Sequence, residues 1–289
     1  MILLAGGTGR LGSVLTTRLT GRGLAVRVLT RNPGRAAHLA GDGVEVVTGD
    51  VRDRASVAAS VRGATVVVSA VHGFAGPGRI SPATVDRQGN INLIDAARGA
   101  GAELVLVSVV GAAADSPMEL SRMKYAAEQH LRASGANWTI VRATAFLELW
   151  VDVLTKTADR SGRPVIFGHG NNPINFVSVT DVAALVEHAV TNPAVRGRIL
   201  EIGGPANLTF NQLAAAFQAA AGRTATPRHV PPPILRLMAS TLGRVKPELG
   251  RQARAALVMD RADLTHDASS IHQAYPSLPT TPLSTCLQP

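Results

Sequence analysis

The chain has 289 residues, a hydrophobic content of 46% and a formal net charge of +9, so it can bury a core in one or two domains. Its one cysteine, Cys286, excludes an internal disulfide framework and a cysteine-rich metal site. Aromatic residues make up only 3% of the chain and the arginines are scattered, so the positive charge does not favour a nucleic-acid-binding protein.

The apolar runs are short, and none approaches the ~20 residues of a spanning helix. The first predicted strand begins at the N-terminus, so we expect no signal peptide. No set of His, Asp and Glu has the spacing of metal ligands. The sequence therefore predicts a cytoplasmic protein with a small-molecule substrate and with no metal, membrane or nucleic-acid partner. It leaves the oligomeric state open, with a homodimer among the options.

A glycine-rich turn at residues 5–12 follows the first predicted strand and precedes a segment with helical spacing. Gly6 permits a tight turn, Gly9 lets the backbone approach a pyrophosphate, and Gly12 allows the helix to pack close to the strand. The spacing, Gly-x-x-Gly-x-x-Gly, differs from the usual Gly-x-Gly-x-x-Gly. We interpret the turn as a phosphate site, with a plain structural turn as the alternative. The predicted cofactor contacts are Gly6, Thr8, Gly9, Arg10, Leu11 and Gly12.

A second strand is predicted over residues 24–30, and its end indicates which dinucleotide binds. An NAD site would place Asp or Glu there to hold the ribose 2′-hydroxyl. This chain instead has Arg31 and Arg35, and guanidinium groups suit the 2′-phosphate of NADP(H). The sequence therefore favours NADP(H), and solvated arginines at a strand end are the alternative.

The next two predicted strands end in further candidate site residues. Asp50 and Val51 end the strand predicted over residues 44–51, where they can border the adenine. Asp53 is then predicted to cap a helix over residues 54–61. Ala70 ends the continuously apolar strand predicted over residues 65–70. The Gly/Pro-rich segment 72–82 then has the length of a functional loop, and we assign His72 and Phe74 to the substrate side. A merely solvated histidine is the alternative.

Helices predicted over residues 85–100 and 118–134 alternate with strands predicted over residues 104–110 and 138–142. This alternation predicts an α/β protein with a doubly wound parallel sheet of at least six strands, the Rossmann arrangement. We expect a dinucleotide-binding core over residues 1–145, to which the chain returns at about 175–202. Residues 146–174 and 203–289 are predicted to form a small substrate-side subdomain.

The later segments carry fewer signals. Thr180 is predicted to cap a helix over residues 181–190, and Thr209 with Gln212 forms a capping box. The apolar stretch 146–151 supplies two more predicted substrate-side residues, Phe146 and Trp150. The tail, residues 276–289, is predicted to be irregular.

Several motifs together resemble the NmrA-like, atypical branch of the short-chain dehydrogenase/reductase superfamily. Those that carry the resemblance are the glycine-rich turn, Leu29-Thr30-Arg31-Asn32, Gly49-Asp50-Val51, Val107-Ser108, Lys124 with Glu128, Thr139-Ile140-Val141-Arg142, residues 176–183 and Gly203-Gly204-Pro205. The resemblance implies an extended Rossmann fold with a small C-terminal substrate subdomain. It also implies NADP(H) contacts beyond the turn, at Arg31, Asp50, Val51, Ala70, Ser108, Lys124, Ala143, Thr144 and Ala145.

The chain departs from the superfamily's usual Ser-Tyr-Lys arrangement. If Lys124 is the lysine of Tyr-x-x-x-Lys, the tyrosine position is Leu120, and the usual Ser/Thr position is Val110. Tyr125 lies about 100° away from Lys124 around a helix and is not expected to substitute. Lys124 is the one candidate catalytic residue. It either transfers a proton, as in the resembled benzylic-ether reductases, or only anchors the nicotinamide ribose.

Three functional hypotheses follow. The first is an NADPH-dependent reductase of a small apolar carbonyl, quinone or enone, for which the cofactor carries the difficult step. The second is a non-catalytic protein that senses NADP(H) and regulates a partner, since the tyrosine and serine are missing. The third is a redox-neutral isomerase or cyclase that retains its cofactor.

Overall fold

A computed structural model describes residues 1–287; for Arg244 it describes the backbone and not the side chain. It divides into two compact units. The first comprises Met1–Gly73, Arg79–Ala143 and Val182–Ile202; the second comprises Phe74–Gly78, Thr144–Asp181 and the chain from Gly203 onward. No helix within the described 287 residues is both long and apolar enough to cross a membrane.

The elements of the first half follow one another as strand and helix. They are β1 Ile2–Ala5, α1 Arg10–Gly21, β2 Val26–Thr30, a 3-10 helix Pro33–Leu39, β3 Val44–Thr48, α2 Arg54–Val61, β4 Val66–Ser69, a π-helix Pro82–Gly89, α3 Asn90–Gly99, β5 Glu103–Val109, α4 Glu119–Ala133 and β6 Trp138–Ala143.

The second half is less regular. Its elements are β7 Ala145–Phe146, α5 Leu147–Thr157, β8 Val165–Phe167, β9 Ile174–Val177, α6 Val179–Thr191, a 3-10 helix Pro193–Val195, β10 Ile199–Ile202, β11 Asn207–Leu208, α7 Phe210–Ala220, β12 Arg228–Val230, α8 Pro232–Val245, α9 Pro247–Met259, α10 Ser269–Ala274 and α11 Leu283–Cys286.

Seven parallel strands form the sheet of the first unit, in the order β10-β6-β5-β4-β1-β2-β3. The order reverses at β1, which lies between β4 and β2, and ligands of open α/β sheets bind beside such a reversal. β1 is apolar along its whole length and β4 is apolar up to Ser69, as expected for strands that are covered on both faces. The predicted doubly wound parallel sheet is confirmed. β10, beside β6, is its seventh strand.

The helix predicted over residues 85–100 begins earlier and is not uniform. Its first part is the π-helix Pro82–Gly89, which Ser81 and Thr84 cap reciprocally, and α3 follows directly. Two of the residues predicted as loop, Ser81 and Pro82, therefore belong to this capped helix start. The predicted third strand also ends at Thr48 rather than residue 51, because the Asp50 and Asp53 region already turns into the start of α2.

The second unit contains two small sheets, β11-β9-β7 and β12-β8. Its core is formed by apolar side chains of α5, β8, β9 and α7. β9 overlaps the range 175–202 for which the sequence predicts a return to the first unit, and it pairs with β7 and β11 in the second unit.

Two predictions in this half are wrong. α6 begins at Val179, before Thr180, because the Glu148 carboxylate accepts from the Val179 N–H at 3.0 Å and Ser178 Oγ accepts from the Thr180 N–H. The tail is not wholly irregular, because it contains α11, and Thr281 N donates to Asp181 at 2.8 Å. The last two tail residues, 288 and 289, lie outside the described part. The capping box at Thr209 and the Asp53 cap of α2 are confirmed.

Candidate cofactor and active site

The glycine-rich turn joins β1 to α1 at the edge where the sheet order reverses. Gly6 has φ = +89°, and a Cβ there would lie 2.6 Å from the carbonyl oxygen of Ala70. A Cβ at Gly12 would lie 2.5 Å from the Cα of Gly7, so helix and turn are packed as closely as only glycine allows. No side chain caps α1, and its first turn contains no carboxylate. This end of the helix is therefore suited to an anion.

Arginines follow the carboxyl end of β2. Thr30 Oγ1 accepts from the Asn32 N–H at 3.2 Å, and Asn32 Oδ1 caps the following 3-10 helix, so the backbone of the corner is well fixed. Arg31 and Arg35 are both exposed beside it. The corner contains no carboxylate where an NAD-type site would have one, as the sequence analysis expects.

After the end of β3, Asp50 borders an open depression. The Arg52 guanidinium contacts the Asp50 carboxylate at 2.6 Å and holds the pKa of that carboxyl below its usual range, with a smaller contribution from the charge of Arg31. Val51 is buried, and its carbonyl accepts from Asn92 at 2.8 Å. The depression has a volume of about 480 Å³ and is lined by Asp50, Arg52, Asp53, Arg79, Ala83, Thr84 and Gln88.

The ends of β4 and β5 present Ala70 and Ser108 to the same edge of the sheet. The Ala70 N–H donates to the Ala5 carbonyl at 2.9 Å, which ties the end of β4 to the glycine-rich turn. Ser108 is 2% exposed, and its hydroxyl has no hydrogen-bond partner within residues 1–287. A buried hydroxyl without a partner is uncommon and costs stability, so it marks a place that a polar ligand group can complete.

Lys124 lies on α4 and is only 4% exposed. Its ammonium donates to the carbonyls of Val71, at 2.8 Å, and Val107, at 3.0 Å. It also lies 3.2 Å from Oδ1 of Asp86, an ion-pair distance without hydrogen-bond alignment. Three protein oxygens therefore surround the three ammonium protons.

Asp86 is the residue that sequence reasoning missed. It lies on the π-helix, is fully buried, and accepts from the Gly73 N–H at 2.8 Å with its other oxygen. Lys124 and Asp86 thus hold both ends of the segment 71–73 through main-chain groups. In the sequence, Asp86 shows only as a carboxylate beside apolar residues of a predicted helix. Spacing alone does not pair it with Lys124, which lies 38 positions later.

His72 projects from this held segment, and the residue is solvent-exposed. The loss of hydration beside the protein lowers the pKa of the His72 imidazole. The positive charge of Lys124 lowers this pKa further, and the carboxylate of Asp86 raises it. Solvent reaches the residue, which limits this loss of hydration. An exposed imidazole can exchange protons with solvent and with a bound ligand.

Glu128, one turn after Lys124 on α4, forms a separate pair with Arg142 of β6. The fully buried Glu128 carboxylate accepts two hydrogen bonds from Arg142, at 2.6 and 3.0 Å, and Arg142 also contacts Glu201. These carboxylates raise the pKa of the Arg142 guanidinium. The pair links α4 to β6 and β10, so its contacts are those of a structural element.

The remaining predicted site residues are divided between the two units. Ala143 ends that strand in the first unit; Thr144 begins the next part of the second unit, where its hydroxyl donates to Asn175 at 2.9 Å. Phe74, Ala145, Phe146 and Trp150 also belong to the second unit. The Trp150 ring packs edge-on against Phe210, with ring centroids 4.6 Å apart, so part of this side chain belongs to the core of that unit.

The family model for NAD(P)H-binding proteins matches residues 6–193, well over half of the chain. The chain belongs to this NAD(P)H-binding family. The resemblance to NmrA-like, atypical short-chain dehydrogenases/reductases is thereby confirmed.

Curated relatives match most of this NAD(P)H-binding chain. An NAD(P)H azoreductase of Xenophilus azovorans is 29% identical over 225 residues, 77% of this chain and 74% of that protein. A (4-alkanoyl-5-oxo-2,5-dihydrofuran-3-yl)methyl phosphate reductase of Streptomyces griseus is 31% identical over 228 residues, with the same coverage of 77% and 74%. Quinone oxidoreductase 2 of Escherichia coli is 25% identical over 230 residues, covering 78% and 76%.

Two solved structures share the fold of this NAD(P)H-binding protein along nearly its whole length. One is an NADPH-dependent quinone oxidoreductase of Escherichia coli complexed with NADPH, with a TM-score of 0.79, 23% identity and coverage of 99% and 98%. The other is the Citrobacter sp. triphenylmethane reductase complexed with NADP(H), with a TM-score of 0.78, 20% identity and the same coverage.

The first unit fits a bound dinucleotide on its own geometry. The turn has no room for a Cβ at Gly6 or Gly12, α1 has no side-chain cap, and Ser108 keeps an unpaired buried hydroxyl at the same sheet edge. In the part of the chain that is described, no group of three or more His, Cys, Asp or Glu side chains is arranged to hold a metal.

Proposed function

We propose that the protein is a cytoplasmic NADPH-dependent oxidoreductase that reduces a small apolar carbonyl, quinone or enone. The observation that carries this proposal is the uncapped, glycine-rich start of α1 with arginines, and no carboxylate, after β2. The first feature suits a diphosphate, and Arg31 and Arg35 suit the 2′-phosphate that distinguishes NADPH from NADH.

The relatives support the class of acceptor. The azoreductase and the quinone oxidoreductase are named for flat, conjugated, electron-poor acceptors, and the phosphate reductase for an unsaturated lactone. Such molecules accept hydride at carbon or nitrogen with little help from protein groups. If Lys124 is the lysine of Tyr-x-x-x-Lys, Leu120 and Val110 stand where the superfamily has its hydroxyls, and such acceptors suit that arrangement.

Bound NADPH would supply the hydride, and the protein would bind, orient and protonate. The glycine-rich turn would hold the diphosphate, and Asp50 and Val51 would border the adenine. Lys124 and Asp86 would keep the segment 71–73 in place through the contacts described above. His72, exposed at the centre of that segment, is our proposed source of the proton for the reduced product.

The test is NADPH oxidation by the purified protein with a panel of quinones, enones and azo dyes. We expect turnover of at least one acceptor class, and a His72→Gln variant should bind NADPH normally but turn over more slowly. A panel without turnover, with NADPH binding demonstrated by fluorescence, would contradict the reductase.

A non-catalytic NADP(H) sensor is the second candidate. The observation that favours it is the enclosed Lys124 ammonium, which three protein oxygens already surround. A sensor should bind NADP⁺ and NADPH with clearly different affinities, or bind a partner in only one of the two states. Titration of both forms by calorimetry decides between the candidates, since equal affinities together with turnover leave only the enzyme.

A further inference from the structure

Helix α8 exposes an unusual number of aliphatic side chains. Seven large hydrophobic residues are exposed among residues 1–287, and four of them lie on this one helix of 14 residues. They are Ile234, 48% exposed, Leu237, 61%, Leu242, 39%, and Val245, 80%. Single exposed aliphatic residues are ordinary, whereas a cluster on one element marks an interaction surface.

Three of these side chains form a stripe along α8, and Leu242 lies about 60° to one side of it, toward the buried Leu235. At about 100° per residue, Ile234, Leu237 and Val245 fall within about 80° of the helix circumference. Leu235, in contrast, is 1% exposed and packs inward. α8 already packs on α9 through Gly243 and Gly250, where an added Cβ at Gly250 would lie 2.5 Å from the Cα of Gly243. The exposed stripe is therefore not the helix's own packing face.

Basic residues outnumber acidic ones on α8 and α9. Residues 231–259 contain five basic residues and one acidic residue, Glu248. Arg236, Lys246 and Arg254 are exposed on the two helices. A helix with an aliphatic stripe and basic flanks is typical of proteins that lie on anionic lipid.

The charge and the residue types favour lipid over a second copy or another protein. A two-fold contact between copies would bring the basic flanks of two chains with a net charge of +9 together. The stripe contains no aromatic residue, whereas Trp and Tyr dominate the anchors of protein interfaces. We propose that the exposed face of α8 docks on an anionic lipid surface, with Leu237 and Val245 inserted among the acyl chains and Lys246, directly after Val245, near the headgroups.

A lipid-binding α8 differs from the sequence-based expectation of no membrane partner. That expectation rests on the absence of a long apolar run. The stripe is interrupted in sequence, and only the fold distinguishes its members from buried neighbours such as Leu235. The inference concerns α8 alone and holds whichever reaction the first unit supports.

The test is co-sedimentation of the full chain with phosphatidylcholine vesicles that contain about 30% phosphatidylglycerol, against vesicles of phosphatidylcholine alone. We expect the protein to bind the anionic vesicles about tenfold more tightly, and added salt to weaken that binding. The Leu237→Gln/Val245→Gln variant keeps every charge and should lose about tenfold in vesicle affinity. As a matched control, Ile199→Gln alters an exposed aliphatic residue outside α8 and should bind like the wild type.

Thermal unfolding of each variant establishes that it is folded. Absence of binding to anionic vesicles at low salt would overturn the proposal. So would unchanged binding of the double-glutamine variant, which would assign the affinity to charge alone. A concentration-dependent dimer that this variant abolishes would overturn it in favour of a second copy of the chain.

Discussion

Replacing Lys124 with methionine tests whether the buried pair with Asp86 is structural. Asp86 is fully buried and would keep a single donor, the Gly73 N–H, once the ammonium is gone. Removing one member of a buried ion pair costs about 3–5 kcal/mol, because the other charge is left uncompensated. The carbonyls of Val71 and Val107 would also lose their donor. We therefore expect Lys124→Met to lower the free energy of unfolding by at least ~3 kcal/mol.

A double-mutant cycle separates the pair from its surroundings. Asp86→Asn keeps the shape of the side chain and removes its charge, so the Lys124→Met/Asp86→Asn variant contains no uncompensated charge. Its cost should fall short of the sum of the single costs by about 1–3 kcal/mol, the usual coupling between contacting groups. Urea unfolding followed by far-UV circular dichroism at neutral pH measures all four proteins.

Lys156→Met is the matched control. That lysine has a side chain 77% exposed and pairs with Asp152 at 3.7 Å on the surface of α5, so its removal should cost less than ~0.5 kcal/mol. Single costs at Lys124 and Asp86 that simply add would refute the reasoning. A cost below ~1 kcal/mol for Lys124→Met would do so too, and the lysine would again be a free candidate for proton transfer.

Three further predictions concern the cofactor site and the tail. Arg31→Gln, alone or with Arg35→Gln, should weaken NADPH binding by about tenfold or more and leave NADH binding unchanged, because a charge-assisted hydrogen bond to phosphate is worth ~1.5–3 kcal/mol. Fluorescence titration measures the affinity for both nucleotides. An equal loss of affinity for NADPH and NADH would count against a 2′-phosphate contact. Gly12→Val should abolish binding of both nucleotides, because the added Cβ at position 12 would lie 2.5 Å from the Cα of Gly7. Calorimetric titration measures the binding. Retained binding would exclude the turn as the phosphate site. Burial, with the nearby Glu148 carboxylate, raises the pKa of Cys286 from 9.0 to about 11, so iodoacetamide at pH 8 should alkylate the native thiol about a hundredfold more slowly than the urea-unfolded one. Equal alkylation rates would place the thiol in solvent. Because the native state holds the thiol proton more tightly than the unfolded state does, the contribution of Cys286 to stability is complete below pH 9 and is lost as the pH rises through about 11.

Local features were predictable because each depends on a few consecutive residues. The glycine-rich turn, the Asp53 cap and the capping box at Thr209 each follow from spacings of a few residues, and the structure contains all three. The parallel sheet followed from the alternation of apolar strands with helices. The position of Arg31 and Arg35 was predictable in the same way, because they follow an apolar segment with clear strand character.

Features that depend on distant residues were not predictable. The start of α6 is set by Glu148, which lies 31 positions before Val179, so a search for a local cap selects Thr180 instead. The partner of Lys124 is 38 positions away on a π-helix, and periodicity does not predict a π-helix. Exposure on α8 likewise depends on its packing against α9, because Leu235 and Leu237 are the same residue type with opposite environments.

Isothermal titration calorimetry of the wild-type protein with NADPH and with NADH tests the central claim most directly, namely that the turn before α1 and the arginines after β2 bind a phosphorylated dinucleotide. The account predicts saturable heat with NADPH at an affinity about tenfold or more above that for NADH, with the difference shrinking as salt is added. No heat with either nucleotide, or tighter binding of NADH, would contradict it.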